Sequence, residues 1–208
     1  MILYFDTETD SLYQRDLPHD HPMQPNLIQL GCLLVEGTRE RATLELIVRP
    51  DGFIIPKTAT EIHGISTEDA ARCGVGLGVA VAMFANLCRL AQNVCAHHLS
   101  FDERVMATAF HRAGRHGPEL PVNRICTVEA SAPILKIPPT AKMKAWGHGD
   151  KPKNPSLAEC YDLMFGEELK NAHSALADAR ACARVHAHIL AGRGRLNPMI
   201  RFFKRTWR

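Results

Sequence analysis

Apolar residues along this chain fall into short blocks whose period changes from block to block. Ile2 to Phe5 are apolar in succession, the pattern of a short buried strand over residues 2–8. A Pro- and His-rich loop, roughly 10–26, comes next. Leu27 to Val35 and Ala42 to Val48 read as two more strands, joined by a hairpin turn at Gly37-Thr38-Arg39-Glu40. Beyond the turn at Pro50-Asp51-Gly52 the period becomes helical. Pro56 to His63 predicts a short helix closed by Gly64, and Ser66 starts a second, with Asp69 three residues on. Val79 to Gln92 predicts an apolar helix, and Asn93 to His97 a fourth strand. Ser100 is expected to cap a helix that runs to Ala113 and closes at Gly114. Arg124 to Thr127 reads as a fifth strand, residues 136–155 as a Pro/Lys/Gly loop, and Leu157–Phe165 and Ser174–Leu190 as helices. A meander of three strands, then strands alternating with helices, predicts an α/β fold with a mixed sheet covered by helices.

The polar residues that end the first strand carry the chemistry. Asp6 and Glu8 are two apart, so in an extended chain both side chains leave the same face. Two carboxylates held together repel, and burying each costs several kcal/mol, by order of magnitude, unless a cation joins them. A hard divalent cation such as Mg²⁺ or Mn²⁺ prefers such oxygen ligands. On the dyad alone, a strand end whose acids sit in water is an equal reading. The balance shifts with Phe101-Asp102, which follows the fourth strand, and with His173 and Asp178, spaced H-x-x-x-x-D near the last helix.

D-x-E on a first strand, F-D after a later one and H-x-x-x-x-D near the end resemble, in that order, the DEDD family of 3′→5′ exonucleases. Within it the chain is similar to the subtype with a catalytic histidine (DEDDh), which includes the proofreading (epsilon) subunit of bacterial DNA polymerase III. The resemblance covers residues 1 to about 190. It implies a ribonuclease H-like fold: a five-stranded mixed sheet, strand 2 antiparallel to the rest, strands 1 and 4 adjacent, helices on both faces. It also implies two Mg²⁺ or Mn²⁺ ions held by Asp6, Glu8, Asp102 and Asp178. Asp6 would bridge both, Glu8 and Asp178 would serve the ion on the attacking-water side, and Asp102 the second. His173 is then the general base, since an imidazole titrates near neutral pH. The sibling subtype has tyrosine four residues before the last Asp, where this chain has Ser174. Thr7, Thr9, Ile62, His63, His98 and Phe101 become candidate substrate contacts. Glu61-Ile62-His63-Gly64-Ile65 resembles a segment of the proofreading branch, with Ile62 wedged against a base and His63 on sugar or phosphate. A plain helix end is the alternative there. His97-His98 commonly reads His-Asn in the family, so His98 is a departure.

Composition and charge refine this picture. A chain of 208 residues suits one exonuclease domain, assigned to 1–192, with a basic tail over 193–208. No apolar run spans a bilayer and the N-terminus has no secretory pattern, so a cytoplasmic setting without membrane contact is expected. Seven cysteines without a C-x-x-C pair suggest reduced thiols rather than a disulfide or zinc framework, with Cys88, Cys95 and Cys182 as core residues. The net charge of +3 does not itself point to nucleic acid. Its distribution tells more, since the basic loop and tail either hold phosphate backbone or are solvated: Lys136 to Lys153 holds five lysines and one acid, Asp150. Arg193 to Arg208 holds six basic residues and no acid, interleaved with Phe202, Phe203 and Trp207. Met143 and Trp146 either stack on substrate or pin the lysine loop. His186 and His188, two apart on a helix, are poor ligands for one metal.

The function expected is a metal-dependent 3′→5′ exonuclease acting on nucleic acid, DNA before RNA, single-stranded or frayed, and releasing nucleoside 5′-monophosphates. The alternatives are an RNA exonuclease of the same fold and a catalytically silent module that binds nucleic acid or a polymerase. A polymerase and a second copy of the chain are the protein partners considered.

Overall fold

A computed structural model describes residues 1–192 except 119 and 122. The 193–208 tail, with Phe202, Phe203 and Trp207, lies outside the described residues. Five strands form one mixed sheet: β1 (Ile2–Thr9), β2 (Leu27–Glu36), β3 (Arg39–Ile47), β4 (Asn93–Ala96) and β5 (Asn123–Cys126), in spatial order β3-β2-β1-β4-β5. β2 is antiparallel to both neighbours, and β1, β4 and β5 are parallel. The β2–β3 turn is tighter than expected: Glu36 pairs with Arg39, leaving Gly37 and Thr38 at the tip. Gly37, at φ 60, supplies the backbone that such a two-residue turn requires.

Among the described residues eight helices cover both faces: α1 (Lys57–His63), α2 (Thr67–Cys73), α3 (Leu77–Leu90), α4 (Leu99–Arg112), α5 (Thr127–Leu135), α6 (Ala141–Ala145), α7 (Leu157–Phe165) and α8 (Ala175–Leu190). Strand alternation sorts the core. Leu3 and Phe5 of β1 pack with Leu30, Cys32 and Leu34 of β2 against Phe84 of α3 and Val105, Met106 and Phe110 of α4. Tyr4 and Leu33 face the other way, onto Cys95, Ala179 and Cys182. All seven cysteines are free thiols, and Cys88, Cys95 and Cys182 are buried.

Three local readings change. Ser100 does not cap α4: the cap is His98, whose φ of 80 turns the chain out of β4 two residues earlier. α5 was not expected, because Pro133 inside it removes the bond to the Glu129 carbonyl. Its burial against α7 and α8 through Leu135, and a bond from Ser131 Oγ to the Thr127 carbonyl (2.6 Å), compensate. The 136–155 loop contains α6, capped by Thr140. His186 and His188 go to different partners, as expected. His186 Nδ1 meets Tyr4 Oη at 2.8 Å, and His188 lies edge-on to Phe165.

The start of α8 rests directly on the sheet. A Cβ on Gly31 would lie 2.2 Å from Ala175 C and Leu176 N. Gly31 sits opposite Asp6 on one side and Glu45 on the other. Gln29 Oε1 accepts the Ala175 N–H (3.0 Å), a service that the cap residue Ser174 does not provide. Ser174 Oγ instead donates to Glu45 Oε1 (3.0 Å), which also accepts from Gln29 Nε2 (3.2 Å). Gly31→Ala should therefore lower stability by about 1–3 kcal/mol, the cost of overpacking a tight contact. Urea denaturation of the two proteins measures it; equal midpoints would mean that helix and sheet separate freely here.

Candidate active site

Strand alternation and the seat of α8 bring the predicted acids to one place. Asp6 and Glu8 leave β1 on the face that α8 covers, as do their β2 partners Gly31 and Gln29. Asp178 lies in the first turn of α8, where a carboxylate is favoured by the free N–H groups. Its Oδ2 accepts the His173 backbone N–H (2.9 Å), while its Oδ1 is buried without a hydrogen-bond partner among the described residues. Ligand atoms of Glu8, His173 and Asp178 all lie within 4.8 Å of one another. His173 is exposed, at φ 67, on the segment leading into α8.

Asp102 arrives from the other side, in the first turn of α4 and 2% exposed. Thr7 holds it, donating both its N–H (3.1 Å) and its hydroxyl (2.7 Å) to Asp102 Oδ1. Thr7 therefore changes role: its side chain is buried and its donor is spent on an acid, not free for substrate. Thr9 likewise directs its hydroxyl to the Ser11 carbonyl (2.8 Å).

The electrostatics show one coupled cluster. Desolvation, then repulsion from Asp102, Asp178 and Glu8, pushes the Asp6 carboxyl well above the usual range. Burial and then Asp178 push Glu8 up to about 7. Burial pushes Asp102 up to about 8, against the opposing effect of the Thr7 hydrogen bonds. Burial also raises Asp178, with the His173 N–H and imidazole pulling the other way. An oxygen-rich, mutually repelling set with an orphaned buried oxygen fits a hard divalent cation. Asp6, Glu8, Asp102 and Asp178 would hold it.

The remaining candidates line the approaches. Ile62 is exposed at the end of α1. His63 Nδ1 accepts the Ile65 N–H (3.1 Å), so the neutral ring carries its proton on Nε2, which is buried without a partner among the described residues. Burial and then the nearby His173 lower the pKa of His63. His98 occupies the left-handed region that Asn, Asp and His tolerate best among non-glycine residues, a backbone reason why Asn and His exchange there. His97, beside it, is structural: Nε2 donates to the Pro155 carbonyl (3.1 Å), and Nδ1 meets Thr127 Oγ1 (2.9 Å). Burial lowers its pKa to about 4. Phe101 is half-buried and packs at the edge of the core. In the lysine loop, Lys153 is tied to Glu159, and Lys142 lies 4.5 Å over the ring of Trp146, which stays exposed. Trp146 does not pin the loop to the core. Sequence reasoning missed Gln29, Gly31 and Glu45, whose part depends on strand register and helix seating.

The chain belongs to the RNase T exonuclease family, whose model, described as an exonuclease, matches residues 3–186. No curated protein matches the sequence significantly. Among solved structures, E. coli exonuclease I bound to a dT13 oligonucleotide is similar, with a TM-score of 0.68 and 18% identity over 98% of this chain and 42% of that one. Its complex with a dA16 oligonucleotide gives 0.67 and 19%, over 93% and 41%. The zinc-bound form of an E. coli exonuclease I complex with single-stranded DNA gives 0.66 and 19%, over 91% and 40%. The chain thus spans about two-fifths of the length of these structures, and at such identities the likeness is one of fold. Among the described residues no helix is long and apolar enough to cross a membrane.

The raised carboxyl pKa values fix the sign of a pH effect. In the metal-free protein these groups keep protons up to about 7 (Glu8) and about 8 (Asp102), whereas in an unfolded chain they lose them near 4. The folded state therefore binds more protons across that window, and its stability falls as pH rises through it. A cation takes the place of those protons. The rise in melting temperature on adding excess Mg²⁺ should be larger at pH 8 than at pH 6, and the with-minus-without difference cancels remote groups such as His97. Equal rises at both pH values would refute the coupling of cation and protons.

Proposed function

We propose that this exonuclease-family member is a metal-dependent 3′→5′ exonuclease of the histidine subtype, which releases nucleoside 5′-monophosphates from the 3′ end of single-stranded or frayed DNA. The observation that carries the reading is the convergence of Glu8, His173 and Asp178 within 4.8 Å, with Asp6 and Asp102 coupled to them. Exonuclease I, whose fold this chain shares, has been captured on dT13 and dA16 strands, which supports DNA as the substrate.

Two divalent cations, when bound, would neutralise the phosphate oxygens and favour both the attacking and the leaving oxygen. Asp6, Glu8, Asp102 and Asp178 would hold them, with Thr7 fixing the orientation of Asp102. His173 accepts a proton from the attacking water as the new P–O bond forms and the bond from phosphorus to the 3′-oxygen breaks. Its backbone bond to Asp178 keeps the imidazole beside the acids. His63 offers a free Nε2–H, suited to a phosphate or sugar oxygen. Ile62, Thr9, His98 and Phe101 border the strand end.

Oligonucleotides of DNA and of RNA, labelled at either end and incubated with Mg²⁺ or Mn²⁺, test the reading. Labelled mononucleotide released first from the 3′-labelled DNA is the expected result; preferred digestion of RNA would move the substrate to RNA, and no digestion of either would overturn the proposal. Asp6→Asn should fold and lose at least about three orders of magnitude in kcat, as the loss of a central charge implies. His173→Ala should be slow at every pH and lose the decline on the acid side that imidazole protonation causes. A variant that keeps both the rate and the profile would remove His173 from the base role.

A further inference from the structure

We propose that a cavity beside Asp102 is a second nucleotide subsite, gripping an internal phosphate through Arg15 and Arg104 and a base or sugar through Tyr13. The proposal rests on the exonuclease reading above and deepens it. The cavity has a volume of about 400 Å³, and Leu12, Tyr13, Arg15, His98, Phe101 and Arg104 are among its lining residues. Among the described residues no carboxylate lines it. Neither guanidinium is ion-paired with an acid among the described residues. Two exposed guanidiniums that line one concavity without an acidic partner among the described residues offer an anion two donor forks, and a phosphodiester matches the planar fork of each.

The 10–26 loop, which supplies Leu12, Tyr13 and Arg15 to the lining, is anchored by hydrogen bonds at several points. Gln24, 2% exposed, accepts the Gln14 N–H on Oε1 (3.0 Å), and its Nε2 reaches the Gln14 carbonyl (2.9 Å). Gln14 lies between Tyr13 and Arg15, so both are fixed at the backbone. Arg112 binds the Pro25 carbonyl (2.8 Å) and the Gln24 carbonyl (2.6 Å), and Thr108 Oγ1 binds the His19 carbonyl (2.8 Å). The opposite wall is α4, where Arg104 lies one turn from Phe101 and 5.6 Å over the Tyr13 ring. A solvated flap needs no such anchoring. A stacked cation beside an aromatic face, with a second cation on a fixed loop, suits a nucleotide's phosphate and its planar base.

The subsite sits on elements other than those of His173 and His63. A substrate one nucleotide long has no internal phosphate to place between Arg15 and Arg104, whereas a longer strand has one. The experiment compares the wild type with Arg15→Gln, Arg104→Gln and the double variant on two substrates. One is a 4-nitrophenyl ester of thymidine 5′-phosphate; the other is a single-stranded oligomer of about twenty nucleotides. The double variant should raise KM on the oligomer roughly tenfold or more, with kcat little changed. Its salt dependence should become shallower by roughly the slope of one phosphate contact, about 0.7 on single strands. Kinetics on the ester should stay within about twofold of wild type. Equal oligomer KM and equal salt slope, with intact circular dichroism, would overturn the subsite alone. An equal loss on both substrates would also overturn it, as a structural role. A wild type that cleaves neither substrate would overturn the exonuclease reading itself and take the subsite with it.

Discussion

Everything at this site depends on how closely α8 approaches β2, and that approach depends on the missing side chain at Gly31. Its hydrogen faces the backbone of Ala175 and Leu176, where a methyl group would collide. Asp178 is one helical turn from Ala175, so the helix start sets where its carboxylate lands. Across β1 and β2, Asp6 stands opposite Gly31 and Glu8 opposite Gln29. The same register that pairs the strands therefore places Asp178 and the His173 segment over the two β1 acids. Gln29 completes the seat by accepting the Ala175 N–H, one of the helix-start donors that would otherwise be buried unpaired. Glu45, bonded to both Ser174 and Gln29, ties β3 into the same arrangement.

The acids so gathered oppose folding when no cation is present. Each of the four has its pKa raised, with burial the largest cause throughout and carboxylate repulsion adding to it at Asp6, Glu8 and Asp102. The scaffold supplies only partial relief: two hydrogen bonds from Thr7 to Asp102 and one from His173 to Asp178. Asp178 Oδ1 receives none among the described residues. A scaffold optimised for stability alone would fill such a cleft with apolar side chains. The retained repulsion is what would give a divalent cation affinity here, so stability and cation binding would draw on the same interaction.

The acids were legible in the sequence because chemistry needs those residue types, and strand and helix periods fix which face they occupy. Asp6 and Glu8 were two apart on an evident strand, Asp102 followed another, and His173 and Asp178 stood just before and just inside an evident helix. The sheet order was legible only through resemblance, since nothing in the residues of β4 states that it lies beside β1. The seat of α8 was not legible. Gly31 lies within an apolar run and Gln29 reads as an ordinary strand residue; their part appears only when register and helix docking are known. Thr7 and Ser100 were misread for a related reason. A hydroxyl beside an acid motif suggests substrate, and a serine before a helix suggests a cap, but tertiary neighbours decided both. Thr7 spends its N–H and its hydroxyl on Asp102, and the left-handed turn at His98 starts the helix before Ser100 can cap it.

The same reasoning separates the two walls of the cleft. The α8 wall is acidic and is set by a glycine contact that tolerates no added atom. The wall formed by α4 and the 10–26 loop is basic and aromatic, and is set by side-chain amides and guanidiniums that satisfy loop carbonyls. Backbone packing fixes position to a fraction of an ångström, as metal ligation and in-line attack require. Hydrogen-bonded loops allow more adjustment, which suits contacts to a strand whose bases vary in size. Gln24 lies at the centre of that second wall, as Gly31 lies at the centre of the first. The fold thus divides its walls by the stiffness of the elements that carry them: under the proposed function, the reacting phosphate would be placed by helix against sheet, and the strand that follows would be held by an anchored loop.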